Sequence, residues 1–360
     1  MVTGSSVREC CREKAAAEIW AIDKFRKAGG KTLGYLCSAF PEAVAAGLGM
    51  RPVRVLSFPP QQSIPVRPDI CPLTGSLLSA LCTRTGLPSM IDVWAGLFTC
   101  DQTRRLFQEL PGYTGATVFH VQVPATRTPA AEQFYSAGMA RLVDDVVTTG
   151  FAGAYDPAKA LAWEKGRRKA AAAVRELDMS GILSPLELHC ILNMRHVAEP
   201  ASVISLASMM KTRGPRHEAI ARVGIIGCPE AVEDDLVPAA LEALGAGLVY
   251  MSCMAPWSPG PEEPLSGDPA ELAAQAFRRL SCARCRPDDR MTERILADLA
   301  ESGVKGLILK TQKFCDLWFT QKERLRAMLP VPVLVLDTTG GPGEEERVRT
   351  RIEAFLEALA

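Results

Sequence analysis

Three cysteines stand directly behind apolar runs. Cys37 closes Thr32-Leu33-Gly34-Tyr35-Leu36, Cys100 closes Ile91-Asp92-Val93-Trp94-Ala95-Gly96-Leu97-Phe98-Thr99, and Cys315 follows Val304-Lys305-Gly306-Leu307-Ile308-Leu309 within Lys313-Phe314-Cys315-Asp316. Gly-bounded runs rich in Leu, Ile and Val read as buried parallel strands. The thiols would then sit at carboxyl ends of strands, where open α/β sheets bind their ligands. Soft thiolates select zinc, copper(I) or iron–sulfur clusters. Structural zinc draws on close pairs, and none of these three has a partner two or three residues away. Dispersed thiols fit a cluster held between domains, and we expect a 4Fe-4S cluster. Three thiolates on four irons leave one iron open to bind substrate as a Lewis acid. Cys282-Ala283-Arg284-Cys285 is half a zinc site without a matching second pair.

The elements that must deliver these thiols follow from composition and order. The chain has 360 residues, 48% hydrophobic and 23% charged, with formal net charge zero, which suits two or three globular domains. Zero net charge and the lack of a basic block give no footprint for nucleic acid. No apolar run is long enough to span a membrane, and Met1-Val2-Thr3-Gly4-Ser5-Ser6 lacks the features of a secretory signal, so a cytoplasmic location is expected. Twelve cysteines in such a chain point to metal binding, catalysis or small buried hydrophobes rather than to disulfides.

Arg8 to Ala28 reads as a helix with Ala16, Ile19, Trp20 and Ile22 available for one face, and Cys10 and Cys11 in its first turn, structural or exposed. Strand and helix signals then alternate to Val123, the signature of a doubly wound parallel sheet. Within this stretch, Ser57 to Asp69 holds four prolines and should be irregular. Strand signals vanish from Ala130 to about Met210, where the Arg167-Arg168-Lys169 run is expected to be a solvated helix face. Alternation resumes at Ala221-Arg222-Val223-Gly224-Ile225-Ile226-Gly227-Cys228 and ends in an amphipathic helix over Glu344 to Leu359. The fold class expected is α/β, with two Rossmann-like parallel-sheet domains and the cluster in the cleft between them. The divisions are an N-terminal helix (1–29), a first domain (30–145), a helical connecting segment (146–215) and a second domain (216–360).

Asp101 and Asp316, each following a strand-end cysteine, are expected to be helix N-caps. Glu42, after Pro41, is first-turn helix charge, with a catalytic acid or base as the alternative. His120, His189, His196 and His217 show no ligand spacing and are read as structural. No glycine-rich phosphate loop is present, so no ATP site is expected.

Taken in order, Tyr35-Leu36-Cys37-Ser38-Ala39-Phe40-Pro41-Glu42, Cys71-Pro72-Leu73, Phe98-Thr99-Cys100-Asp101, Lys313-Phe314-Cys315-Asp316 and Arg349-Thr350-Arg351-Ile352-Glu353-Ala354-Phe355-Leu356-Glu357 resemble the 2-hydroxyacyl-CoA dehydratase D-component family, related to benzoyl-CoA reductase subunits. The resemblance covers nearly the whole chain. It implies a 4Fe-4S cluster on Cys37, Cys100 and Cys315, and a low-potential electron from a separate ATP-hydrolysing iron–sulfur activator. It further implies ketyl-radical dehydration of an acyl-CoA thioester, and a homodimer or a heterodimer with a paralogous subunit. A branch of the family, the double-cubane cluster proteins, resembles ATP-driven reductases of small molecules and carries extra cysteines. Cys71, Cys253 and Cys282 or Cys285 fall where that branch has them, so an 8Fe double-cubane cluster on six thiols is the alternative. The two-residue gap between Cys282 and Cys285, and Asp337-Thr338-Thr339-Gly340-Gly341 in place of Thr-Asp-Tyr, depart from the family pattern. A non-catalytic accessory subunit is a third reading.

Overall fold

The computed structural model describes residues 4–56, 70–212, 219–231, 233–251, 253–254, 264–338 and 343–359. The proline-rich stretch from Ser57 to Asp69, His217 and Thr339-Gly340-Gly341 lie outside these residues.

In chain order the first half comprises α1 (Gly4–Lys27), β1 (Thr32–Tyr35), α2 (Glu42–Gly47), β2 (Arg51–Arg54), α3 (Pro72–Thr83), β3 (Val93–Phe98), α4 (Asp101–Thr114), β4 (Val118–Gln122) and α5 (Pro129–Thr148). Three helices follow: α6 (Pro157–Ser180), α7 (Pro185–Met194) and α8 (Pro200–Lys211). The second half has β5 (Arg222–Gly227), α9 (Leu236–Ala243), β6 (Gly247–Tyr250), α10 (Pro269–Arg279), α11 (Asp289–Ser302), β7 (Gly306–Gln312), α12 (Asp316–Phe319), α13 (Lys322–Met328), β8 (Val333–Thr338) and α14 (Glu345–Glu357).

Two four-stranded sheets result, both wholly parallel, ordered β2-β1-β3-β4 and β6-β5-β7-β8. The two sheets share one topology. In each, the order reverses beside the first strand, between β1 and β3 and again between β5 and β7, and such switch points open the crevice where ligands bind. Every residue of β1 and β7 is buried, which is why both read as unbroken runs without alternation. Proline marks several helix starts directly. Thr128-Pro129, Asp156-Pro157, Ser184-Pro185 and Asp268-Pro269 each pair a capping side chain, bonded to an amide of the first turn, with a proline whose missing N–H has no helical partner to lose.

The chain does not divide at one point. Helix α10 packs on α5, and its Leu272, Ala273 and Phe277 join the core built by β1, β3 and α5. Burying side chains of that size contributes about 1.5–3 kcal/mol each for Leu and Phe. Cys285 lies in the same core, and the backbone of Arg286 pairs with Ala125 and Arg127 beyond β4. Helix α6 serves both halves, with Ala160 in the first core and Ala170, Val174 and Leu177 in the core around β5 and β6.

Three expectations need correction. Trp20 faces solvent at 64% exposure and Ala16 is exposed as well, so that among the described side chains of α1 Ile22 is the buried one. Helix α1 begins at Gly4, so Cys10 and Cys11 lie inside it rather than in its first turn, and their side chains are outside the described residues. The Arg167-Arg168 pair is not a solvated face. Both guanidinium groups close on the buried Glu164 carboxylate, at 2.6 and 2.9 Å.

Candidate metal centre

Cysteines cluster at the switch points. Cys37 follows β1 and Cys100 follows β3; Cys228 follows β5 and Cys315 lies beyond β7. Each position is fixed by the strand that precedes it and, for Cys100 and Cys315, by the helix that follows. Both of those cysteines occupy the N-cap positions where the aspartates were expected. The Cys100 Sγ accepts the Thr103 N–H at 3.4 Å, while Asp101 is a first-turn residue paired with Arg104 and Arg105. Cys315 heads α12, with Asp316 in its first turn.

The thiols fall into two sets. In one, Cys282 is hydrogen-bonded to Cys253, and Cys37 lies within electrostatic reach of Cys282, which in turn acts on Cys285. In the other, Cys71 is within reach of Cys315 and Cys100, and Cys228 is hydrogen-bonded to Cys315. Two glutamines hold the second set together. The Cys71 N–H donates to Gln102 Oε1 at 3.0 Å, in the first turn of α4, and the Cys71 thiol faces Gln312 Oε1 at 4.0 Å. Gln312 ends β7, and its carbonyl accepts the Cys315 N–H at 2.9 Å. Cys37 therefore belongs with the 253/282 group, and Cys100 and Cys315 with Cys71.

Arg284 stands between the sets. It is 9% exposed and donates to the carbonyls of Thr99, Val123 and Pro124 at 2.7, 2.5 and 2.9 Å. Its guanidinium also acts on Cys37, Cys282 and Cys285. One side chain thus ties the loop carrying Cys282 to the residue before Cys100.

Burial raises the Cys37 thiol, with Cys282 adding to it, while the Ala39 N–H, Arg54 and Arg284 pull the other way. The Cys71 thiol is pushed up to about 11, chiefly by burial. The Cys253 contact raises Cys282. The Cys228 hydrogen bond lowers Cys315. Among the described residues no three Cys, His, Asp or Glu side chains converge on an ion-sized point. The donors offered are soft sulfur in two spaced groups, with backbone N–H groups on Cys37 and Cys100 sulfurs at 3.5 and 3.4 Å. That donor chemistry fits an iron–sulfur cluster, whose potential such N–H···S bonds tune.

The family model for 2-hydroxyglutaryl-CoA dehydratase, D-component, matches residues 37–359. The chain belongs to that family. It is a 2-hydroxyacyl-CoA dehydratase-type subunit, and the family implies an enzyme component working with an activator partner. No curated protein matches it. No helix among the described residues is long and apolar enough to cross a membrane.

Beside the first thiol set lies a cavity of about 130 Å³, lined in part by Cys37, Cys253 and Cys282. Glu42 lines it too, as first-turn charge of α2, and accepts the Tyr35 hydroxyl at 2.6 Å. Burial and the Glu42 carboxylate hold the Tyr35 phenol well above its ordinary value, so the proton stays on the tyrosine oxygen. His120 contacts the Phe107 carbonyl and His189 the Tyr250 hydroxyl, while His196, buried on Arg54, is among the residues lining the cavity.

Two features were not singled out from the sequence. Cys228 ends a buried apolar run just as Cys37 does, so the rule that selected the other thiols would have found it. Lys310, inside an apolar strand, was passed over. It is completely buried, with Nζ on Glu230 and Asp234 at 2.7 and 2.6 Å. Tyr250 donates to the other Glu230 oxygen at 2.6 Å, and His189 Nδ1 lies 3.0 Å from that hydroxyl.

Proposed function

We propose that the chain is the iron–sulfur subunit of an activator-driven reductase whose thiols hold a double-cubane cluster. The observation that carries this reading is the division of the cysteines into two sets, Cys37/Cys253/Cys282 with Cys285 beside them and Cys71/Cys100/Cys315 with Cys228 beside them, the loop of the first tied by Arg284 to the residue before Cys100. Six thiolates of this kind suit two four-iron cubes, and when bound the group would supply low-potential electrons. Cys285, next to Cys282, is the alternative sixth ligand.

The chain's own residues would do the remaining work. The two glutamines and Arg284 fix the ligand loops before iron arrives, since second-shell groups orient a metal's first-shell ligands. Thiols held protonated by burial must release protons to ligate iron, so assembly would be coupled to proton release. The cavity walls would confine substrate beside Cys37, with the Tyr35 hydroxyl, its proton retained, held in place on Glu42.

Radical dehydration of an acyl-CoA by a single 4Fe-4S cluster on Cys37, Cys100 and Cys315 is the second reading, favoured by the family match. A cavity of about 130 Å³ is small for a thioester, since sites for drug-sized ligands run to about 300–1,000 Å³. Iron and sulfide should be quantified after anaerobic purification, in the parent protein and in Cys282→Ser and Cys315→Ser. About eight irons per chain, reduced in both variants, is the result expected. About four irons, lost in Cys315→Ser and retained in Cys282→Ser, would favour the dehydratase reading instead. Iron-free folded protein would overturn both. Mixing with activator and ATP then separates an electron-accepting enzyme from an accessory subunit, which would take up no electrons.

A further inference from the structure

Cys228 is a thiol that the proposed cluster leaves unused. It follows β5 at 6% exposure and is hydrogen-bonded to Cys315, a proposed ligand. The backbone brings the two together. Strands β5 and β7 pair with Gly227 opposite Lys310, and the Cys228 N–H donates to the Lys310 carbonyl at 3.0 Å. Beyond β7 the chain folds back in a turn over 312–315, closed by the Cys315 N–H on the Gln312 carbonyl at 2.9 Å. Phe314, third in that turn, has φ +65°. Turns with a positive φ at that position ordinarily use glycine, and a bulky residue there is an outlier. The chain thus accepts an unfavourable backbone at the residue that delivers Cys315 to Cys228.

The two thiols differ in access. Cys315 is half-buried and open to small solutes, whereas Cys228 is buried in the apolar cluster of Ile226, Leu309 and Trp318, against which Cys315 packs. Cys71, which also lies near Cys315, is buried and faces Gln312 Oε1. An accessible thiol with a second thiol in contact is the arrangement of cysteines that oxidise reversibly, because the neighbour captures the sulfenic acid before a further oxidation.

We propose that Cys228 is a resolving cysteine for Cys315, and that peroxide converts the pair to a disulfide when the cluster is absent or lost. The Cys315 sulfur first attacks a peroxide oxygen: an S–O bond forms, the O–O bond breaks and one water leaves. The Cys228 sulfur then attacks the sulfenic sulfur of Cys315. The S–S bond forms, the S–O bond breaks, and the Cys228 thiol proton departs in a second water. Two thiols have given two electrons to one hydrogen peroxide, and a dithiol reverses the change by exchange. The disulfide occupies a sulfur that the second set would offer to iron, so disulfide and cluster exclude each other there. Cys315 is meanwhile kept at an oxidation level from which it can ligate iron again. This inference names a regulation of the second thiol set and rests on the function proposed above only for what the disulfide displaces.

Peptide mass spectrometry after hydrogen peroxide treatment is the test, on full-length protein purified anaerobically and stripped of iron with a chelator. The parent should give a Cys228–Cys315 disulfide as its main oxidation product, removed by dithiothreitol. In Cys228→Ala the Cys315 peptide should instead gain two oxygens that dithiothreitol does not remove, with loss of most of the iron that the reduced parent takes up again. Cys315 joined to Cys71 or Cys100 in the parent, or the same Cys315 products in Cys228→Ala as in the parent, would overturn the proposal. A Cys228–Cys315 disulfide in protein that never held iron would leave this inference standing while the cluster reading falls. Iron-replete protein whose stripped form gives no such disulfide would do the reverse. If Cys228→Ala does not fold, the disulfide map of the parent and the Cys315 products in Cys228→Ser decide.

Discussion

The two sheets share strand order, all-parallel pairing and the placing of cysteines at their switch points, yet their carboxyl ends are finished differently. The first sheet ends openly. Cys37 and Cys100 each look to thiols from elsewhere in the chain, and the space beside Cys37 is a cavity whose described walls include several guanidinium groups. The second sheet ends closed. The free thiols of Cys228 and Cys315 are hydrogen-bonded to each other, and within β7 the Lys310 ammonium is sealed against Glu230 and Asp234. Gly227 lets that closure happen. Its φ is +132°, and a Cβ there would stand 1.9 Å from the Lys310 carbonyl oxygen, which accepts the Cys228 N–H at 3.0 Å. One topology can thus supply either an open end or a closed one, according to which side chains stand beyond its strands.

Removing the lysine attacks the closed end and should have the largest effect. Lys310→Met leaves Glu230 and Asp234 facing each other without their shared cation, and urea unfolding should show a loss of about 3–5 kcal/mol. A loss below about 1 kcal/mol would mean that packing rather than ion pairing closes this sheet.

Glu164 probes the open end. Burial pushes its carboxyl up, but Arg167, Arg168 and Arg279 outweigh this and hold it at about 2. Its folded value lies below its unfolded one, near 4.3, so the stabilisation is present above that pH and is lost as the pH falls toward about 2. Glu164→Gln should cost about 2–3 kcal/mol at pH 7, and its stability should be flatter than the parent's between about pH 4.5 and 2. An acid limb of unchanged slope would show that the three arginines are balanced elsewhere.

The smallest change belongs outside both ends. Asp101 is exposed and pairs with Arg104 and Arg105 at 2.7 and 2.8 Å. Because Cys100 rather than Asp101 occupies the cap position, Asp101→Ala should shift stability by no more than about 0.5 kcal/mol in thermal melts. A shift above 1 kcal/mol would restore the aspartate as the organising residue of that helix start.

The parallel α/β class and the places of most elements were legible because buried parallel strands are continuous apolar runs and several helix starts carry a capping residue followed by proline. Thiols at strand ends were legible for the same reason. The grouping of those thiols was not. Cys37 and Cys100 end neighbouring strands of one sheet, and nothing in their spacing says that the loops bearing Cys282 and Cys71 will take one each. The arginines were hidden by a different cause: Arg167-Arg168 looks like surface charge until Glu164, one turn earlier, is known to be buried at 3% exposure. Lys310 was lost among the leucines of β7, since a single charge in an apolar run gives no sign of partners some 80 residues away.

Helix α10 has a mechanical consequence. The backbone passes between the halves along α6, again ahead of α10, and once more after Cys285. Two bodies joined by one connection can swing about it like a door. With three passages, any widening of the cleft must bend all of them together, so entry to the thiols would come through local loop movement rather than through rotation of one half away from the other. The same interleaving means that a fragment cut near residue 215 would leave the first half without Leu272, Ala273 and Phe277, and with a raw apolar face where α10 should lie.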